Sequence, residues 1–125
     1  VGKPLMKIKR FEELECWKEA RELNRMIYSL VRRAEFGKDF RLTGQITGAS
    51  ISVMNNIFEG FDAGSTNEFT RFLFYSRRSC SELQNCLYIA SDLKYIENDE
   101  FKKAYQHCEK VRQIIDGLIR YLKKK

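Results

Sequence analysis

Residues 101–122 read Phe101-Lys-Lys-Ala104-Tyr-Gln-His-Cys108-Glu-Lys-Val111-Arg-Gln-Ile-Ile115-Asp-Gly-Leu118-Ile-Arg-Tyr-Leu122. The apolar residues Phe101, Ala104, Cys108, Val111, Ile115, Leu118 and Leu122 follow alternating steps of three and four. That is the pattern of a helix contributing one face to a bundle seam. Working backwards, a stripe of Phe69, Leu73, Ser76, Cys80, Leu83, Leu87 and Ala90 predicts a third helix. Ser65-Thr66-Asn67-Glu68 reads as the capping box that opens it, after a turn bracketed by Gly60 and Gly64. Leu42, Ile46, Ala49, Val53 and Ile57 predict a second helix over about 41–59. Trp17, Ala20, Leu23, Ile27, Leu30, Val31 and Ala34 predict a first over about 11–34. Gly37 and Asp39 lie in the hinge between these two, and Lys94 to Asp99 connect the third to the fourth.

No segment alternates with period two, and the only proline, Pro4, stands outside every predicted helix. Four helices joined by connections of about five to eight residues predict an all-α, antiparallel up-down-up-down four-helix bundle. The expected organisation is a single domain over residues 1–125. Within it, residues 1–10 form a short, partly disordered extension. At 125 residues, with 43% hydrophobic and 32% charged residues, the chain can bury one core without staples.

The same composition excludes several classes of function. No run of about 20 apolar residues exists to span a membrane, and the first ten residues lack the apolar stretch of a secretory signal. Cys16, Cys80, Cys86 and Cys108 show no close-paired spacing, and His107 is the only histidine. A zinc site needs four converging ligands, and a di-iron bundle needs Glu-x-x-His pairs; neither pattern occurs. Reduced cysteines in a cytoplasmic protein are expected, with Cys80 and Cys108 in the core. Ser76, Ser79 and Cys80 have no neighbouring base in sequence, and Gly60 to Gly64 lacks the lysine and spacing of a phosphate loop. Glu59 with Asn55 and Asn56 is the one candidate polar cluster. The expectation is therefore a protein with no catalytic residues, no metal and no cofactor.

Charge is distributed unevenly. The net charge is +6, and residues 1–34 carry 9 basic against 5 acidic groups while residues 98–125 carry 8 against 4. An up-and-down bundle returns its last helix beside its first, which would bring these two basic segments together. The candidate nucleic-acid contacts are Lys18, Arg21, Arg25 and Arg32 on the first helix. The fourth contributes Lys102, Lys103, Lys110 and Arg120, with Lys123-Lys124-Lys125 closing the chain. Arg71 and Arg78 share an outer face of the third helix with Phe74, whose ring could stack a base. Such a surface neutralises phosphates in a salt-dependent way.

The second helix has another character. From Leu42 to Phe58 it carries no charged side chain, whereas an isolated bundle should turn a charged face to water. Ile51, Met54 and Phe58 add apolar surface away from its core stripe, and Gly44 and Gly48 would admit a close-packed neighbour. These five are the candidate self-association residues.

Three motifs carry a family resemblance. They are Phe11-x-x-Leu14-x-x-Trp17-Lys18-x-Ala20, Asn56-Ile57-x-Glu59-Gly60, and Glu68-Phe69-x-x-Phe72-Leu73-x-x-Ser76-Arg77-x-Ser79-x-x-Glu82-Leu83. In order and spacing they resemble the four-helix-bundle family of 23S ribosomal-RNA intervening-sequence proteins, over nearly the whole chain. The resemblance implies an up-and-down bundle assembled as a ring-like homopentamer. A related branch looks like the accessory proteins of diversity-generating retroelements, which bind nucleic acid and a reverse transcriptase. One departure is informative: where relatives carry two adjacent basic residues early in the second helix, this chain has Thr47-Gly48. The leading expectation is a non-enzymatic oligomeric scaffold that binds RNA or DNA non-specifically through a basic flank. The alternative is a protein-interaction module using Phe74, Tyr75, Tyr88 and the apolar face of the second helix.

Overall fold

The computed structural model describes residues 7–124, so most of the predicted N-terminal extension lies outside the described residues. A 3-10 turn, Phe11–Glu13, precedes five helices: α1 Glu15–Val31, α2 Ala34–Lys38, α3 Phe40–Asp62, α4 Thr66–Asp92 and α5 Asn98–Lys123. The four long helices are those the periodicity predicts. α1 packs on α3 and α5, and α4 packs on the same two, which closes a square bundle. Cross-helix pairs set every neighbour antiparallel. Asn24 meets Ser50 between α1 and α3, Ser76 meets Val53 between α3 and α4, and Gln84 meets Glu109 between α4 and α5. Arg33, just beyond the C-terminal end of α1, meets Glu100 in the first turn of α5, while Glu19, near the start of α1, meets Lys110 further along α5.

The predicted stripes of α3 and α4 are buried throughout, Ser76 included. Ser76 tolerates burial because its hydroxyl donates to the Val53 carbonyl at 2.8 Å. In α5 the stripe drifts: Ile119 is buried while Leu118 is only half-buried. A straight helix turns every 3.6 residues, so a strict seven-residue repeat slides off the core after several turns. In α1, Cys16 enters the core where Trp17 was expected, and the Trp17 ring lies edge-on against Phe11, centroids 5.3 Å apart.

The largest departure is at residues 32–39. Ala34 is exposed, and the expected hinge is a one-turn helix, α2, whose Phe36 is fully buried. Phe36 stacks on Tyr95 at 5.2 Å, the Tyr95 hydroxyl donates to Asp39 Oδ2 at 3.0 Å, and Asp39 Oδ1 accepts from the Leu42 amide at the start of α3. One aromatic plug therefore ties α2 and the α4–α5 connection to the N-cap of α3. At the other end, Ser65 accepts from the Glu68 amide at 3.2 Å as half of the predicted capping box, but the Glu68 carboxylate turns to Arg71. Gly64, at φ 82°, makes the preceding turn. A Cβ on Gly60 would sit 2.9 Å from Phe72 Cβ, so glycine is what lets α3 and α4 meet there.

All four cysteines are free and buried. Burial pushes the thiols of Cys16 and Cys80 from 9.0 up to about 12, and that of Cys108 upward as well. A raised folded-state pKa means that stability is complete below the ordinary thiol range and is lost as pH climbs from there towards the folded value. Tyr95, hydrogen-bonded to Asp39, and Tyr105, beside Tyr88, are raised and act with the same sign. The urea midpoint should therefore fall continuously from about pH 9 to about pH 11, less steeply in Cys16→Ala. A flat profile over that window would show that the thiols do not couple to folding.

Candidate nucleic-acid interface

The adjacency of α1 and α5 brings only part of the two basic segments together, since α1 itself carries three basic residues against three acidic ones. Lys18, Arg21, Arg25 and Arg32 are all exposed on α1, as are Lys102, Lys103, Lys110 and Arg120 on α5. Arg33, next to Arg32, grips Glu100 with both terminal nitrogens and so fixes one end of this flank. Near its middle, the Glu19 carboxylate pairs with Lys110 at 3.4 Å, and His107 Nε2 lies 3.1 Å from the Glu19 backbone carbonyl. Glu22 pairs with Arg25, and the Arg21 guanidinium lies 5.7 Å from the Trp17 ring centre. The flank is thus basic but interleaved with carboxylates, as exposed helix pairs are.

The α4–α5 side is organised differently. Arg71 lies over Phe72 at 4.8 Å, donates to Tyr75 Oη at 3.0 Å and pairs with Glu68 at 2.7 Å. This pairing draws the Glu68 carboxyl below its usual range and raises Arg71. Arg78 lies 5.9 Å from the other flank of Tyr75. Phe74 is 40% exposed, with Lys123 Nζ from α5 5.1 Å from its ring centre. Arg77 pairs with Asp116 at 2.8 Å and Arg112 with Glu109 at 3.1 Å. Two open grooves result, of about 520 and 380 Å³. Lys123 and Arg71 reach the first, while Arg77, Arg78 and Arg112 line the second with Ser81 and Phe74. Sequence reasoning placed Arg71, Arg78 and Phe74 on one face; it missed Arg112 and Ser81. Arg112 joins Arg77 only through the α4–α5 register, for which neither helix alone carries a signal.

The candidate self-association residues divide. Gly44, Gly48 and Ile51 lie on the outer strip of α3; a Cβ on either glycine would meet nothing within 4 Å, and Ile51 is 40% exposed. Met54 packs partly against the core, and Phe58 is half-buried edge-on to Phe11 at 5.1 Å. The other polar candidates are structural. Ser79 bonds Ser52 Oγ at 2.8 Å, and the Asn56 amide donates to Ser52 rather than joining Glu59. Among the described residues, no group of three or more His, Cys, Asp or Glu side chains could hold a metal, and no helix is long and apolar enough to cross a membrane.

An all-α four-helix bundle with basic surfaces on two sides is the class this architecture defines. Residues 12–117 match the 23S rRNA-intervening sequence protein family, and the chain belongs to it. The fold is also similar to a crystal structure of a protein of unknown function from the S23 ribosomal protein family of Bacteroides thetaiotaomicron. That match has a TM-score of 0.77 at 18% identity, covering 84% of this chain and 95% of the other. At that identity the likeness speaks for the fold alone. No curated protein matches the sequence.

Proposed function

We propose that the protein is a non-enzymatic, homo-oligomeric scaffold that binds RNA or DNA without sequence preference. The observation that carries this reading is the packing of α1 against α5, which puts the exposed cations of α1 and its end, Arg32, next to the helix that carries Lys103 and Lys110. A surface of that kind gains affinity by releasing counterions from phosphates, and reads charge rather than base identity. Self-association is supported by the uncharged outer strip of α3, where Gly44 and Gly48 leave room for a second helix beside Ile51. The supposed assembly is a ring of the kind that the family resemblance implies.

Two measurements test this together. Light scattering on the wild type should give a multiple of 14.8 kDa, and Ile51→Asp should reduce it to the monomer mass while leaving the helical circular dichroism unchanged. A monomeric wild type removes the scaffold reading, and an unaltered Ile51→Asp mass moves the interface off α3. Binding of generic RNA and duplex DNA at low salt tests the other half.

A second reading, a protein-interaction module, is favoured by the exposure of Tyr88, Ile89 and Leu93 at the C-terminal end of α4. Salt-insensitive binding of a protein partner, with no nucleic-acid binding, would select it.

A further inference from the structure

We infer that the α4–α5 face is a track for single-stranded nucleic acid, distinct from the α1–α5 flank. The inference rests on the nucleic-acid reading above and adds which form is preferred and which residues select it. The first groove is lined by Thr66, Asn67, Thr70, Arg71, Leu122 and Lys123, and the second by Phe74, Arg77, Arg78, Ser81 and Arg112. Neither lining contains a carboxylate. Asp116, Glu109 and Glu68 hold their arginines from outside the linings. Each guanidinium has five N–H donors in a planar fork, more than one carboxylate contact consumes. Arg78, which lies over the Tyr75 ring, has no carboxylate partner at all among the described residues.

The two grooves follow one another along α4. From Thr66 to Ser81 the helix rises about 22 Å, the length of roughly six phosphates in a stacked strand at about 3.4 Å each. Where the second groove meets the first stands the Phe74 ring, 40% exposed and faced by the Lys123 ammonium of the first. A base can take the ammonium's place on that ring, which leaves Nζ beside the strand's own phosphate. Tyr75, flanked by Arg71 and Arg78, keeps the two cations apart along the track. Alternating cations with an aromatic platform suit a strand whose bases are free, since any base can stack without being read. A duplex keeps its base faces covered, so it can offer only phosphates to this face.

The test compares a labelled single-stranded RNA of about twelve nucleotides with the matching duplex, by fluorescence anisotropy in about 50 mM salt. The full chain is used as wild type, Phe74→Ala, Phe74→Tyr, Arg78→Ser and the flank double variant Arg21→Glu/Arg25→Glu. Wild type should bind the single strand more tightly. Phe74→Ala and Arg78→Ser should each weaken it about tenfold and leave duplex affinity within about twofold, while Phe74→Tyr keeps full affinity. Groove variants that bind the single strand like wild type, or that weaken both forms equally, overturn the track; duplex binding that persists leaves the scaffold reading standing. Displacement of the strand by polyglutamate as effectively as by unlabelled RNA also overturns it, since the face would then be a general anion surface. Wild type that binds neither form at this salt overturns the nucleic-acid reading itself, and the track with it.

Discussion

Phe36→Ala should lower the unfolding free energy by about 3–5 kcal/mol, the range for emptying a fully enclosed aromatic site. Phe36 is wholly buried in a helix of only five residues, which has little means to hold its own place. Its ring is stacked on Tyr95, and Tyr95 in turn donates to the carboxylate that caps α3. Removing the ring therefore opens a cavity and loosens the N-cap in one step. Tyr95→Phe keeps the stack and loses only the hydroxyl, so it should cost about 0.5–1.5 kcal/mol. Urea melts of the two variants separate these contributions. A Phe36→Ala cost below about 1 kcal/mol would mean that the plug does not pin this end of the bundle.

Duplex DNA affinity should fall about a hundredfold between 50 and 200 mM salt. Of the eight candidate cations on α1 and α5, Arg25 is held by Glu22 and Lys110 by Glu19. Lys102 and Arg120 share the α5 face of Glu109 and Asp116, which pair with α4. That leaves Lys18, Arg21, Arg32 and Lys103 without a carboxylate partner among the described residues, and a contact with about four phosphates corresponds to a log–log slope near −3.5. Arg21→Glu/Arg25→Glu should abolish duplex binding: reversal removes the Arg21 contact and sets two added carboxylates beside Glu22 and Glu19. A slope shallower than about −2 would limit the contact to a couple of phosphates and remove the flank as the principal surface. Intact affinity in the double variant would place the duplex site elsewhere on the protein.

The four long helices and most of their buried faces were legible in the sequence, because the periodicity of a helix is local. Leu42, Ile46, Ala49, Val53 and Ile57 recur at the helical turn whatever they pack against, and they are buried as that recurrence requires. The adjacency of α1 and α5 was legible for a similar reason: an up-and-down order places the first and last helices side by side. Where a second element must decide, the pattern along one chain fell short. Phe36 looks like a hinge residue until Tyr95, 59 positions later, supplies the wall it stacks on. The carboxylate-free grooves of α4 and α5 exist because the helices cross in a register that brings Arg112 beside Arg77 and Lys123 over Phe74. Helix periodicity fixes which way a side chain points around its own axis. Its height relative to the next helix is set by the packing of both, and so only the tertiary structure decided which cations share a groove.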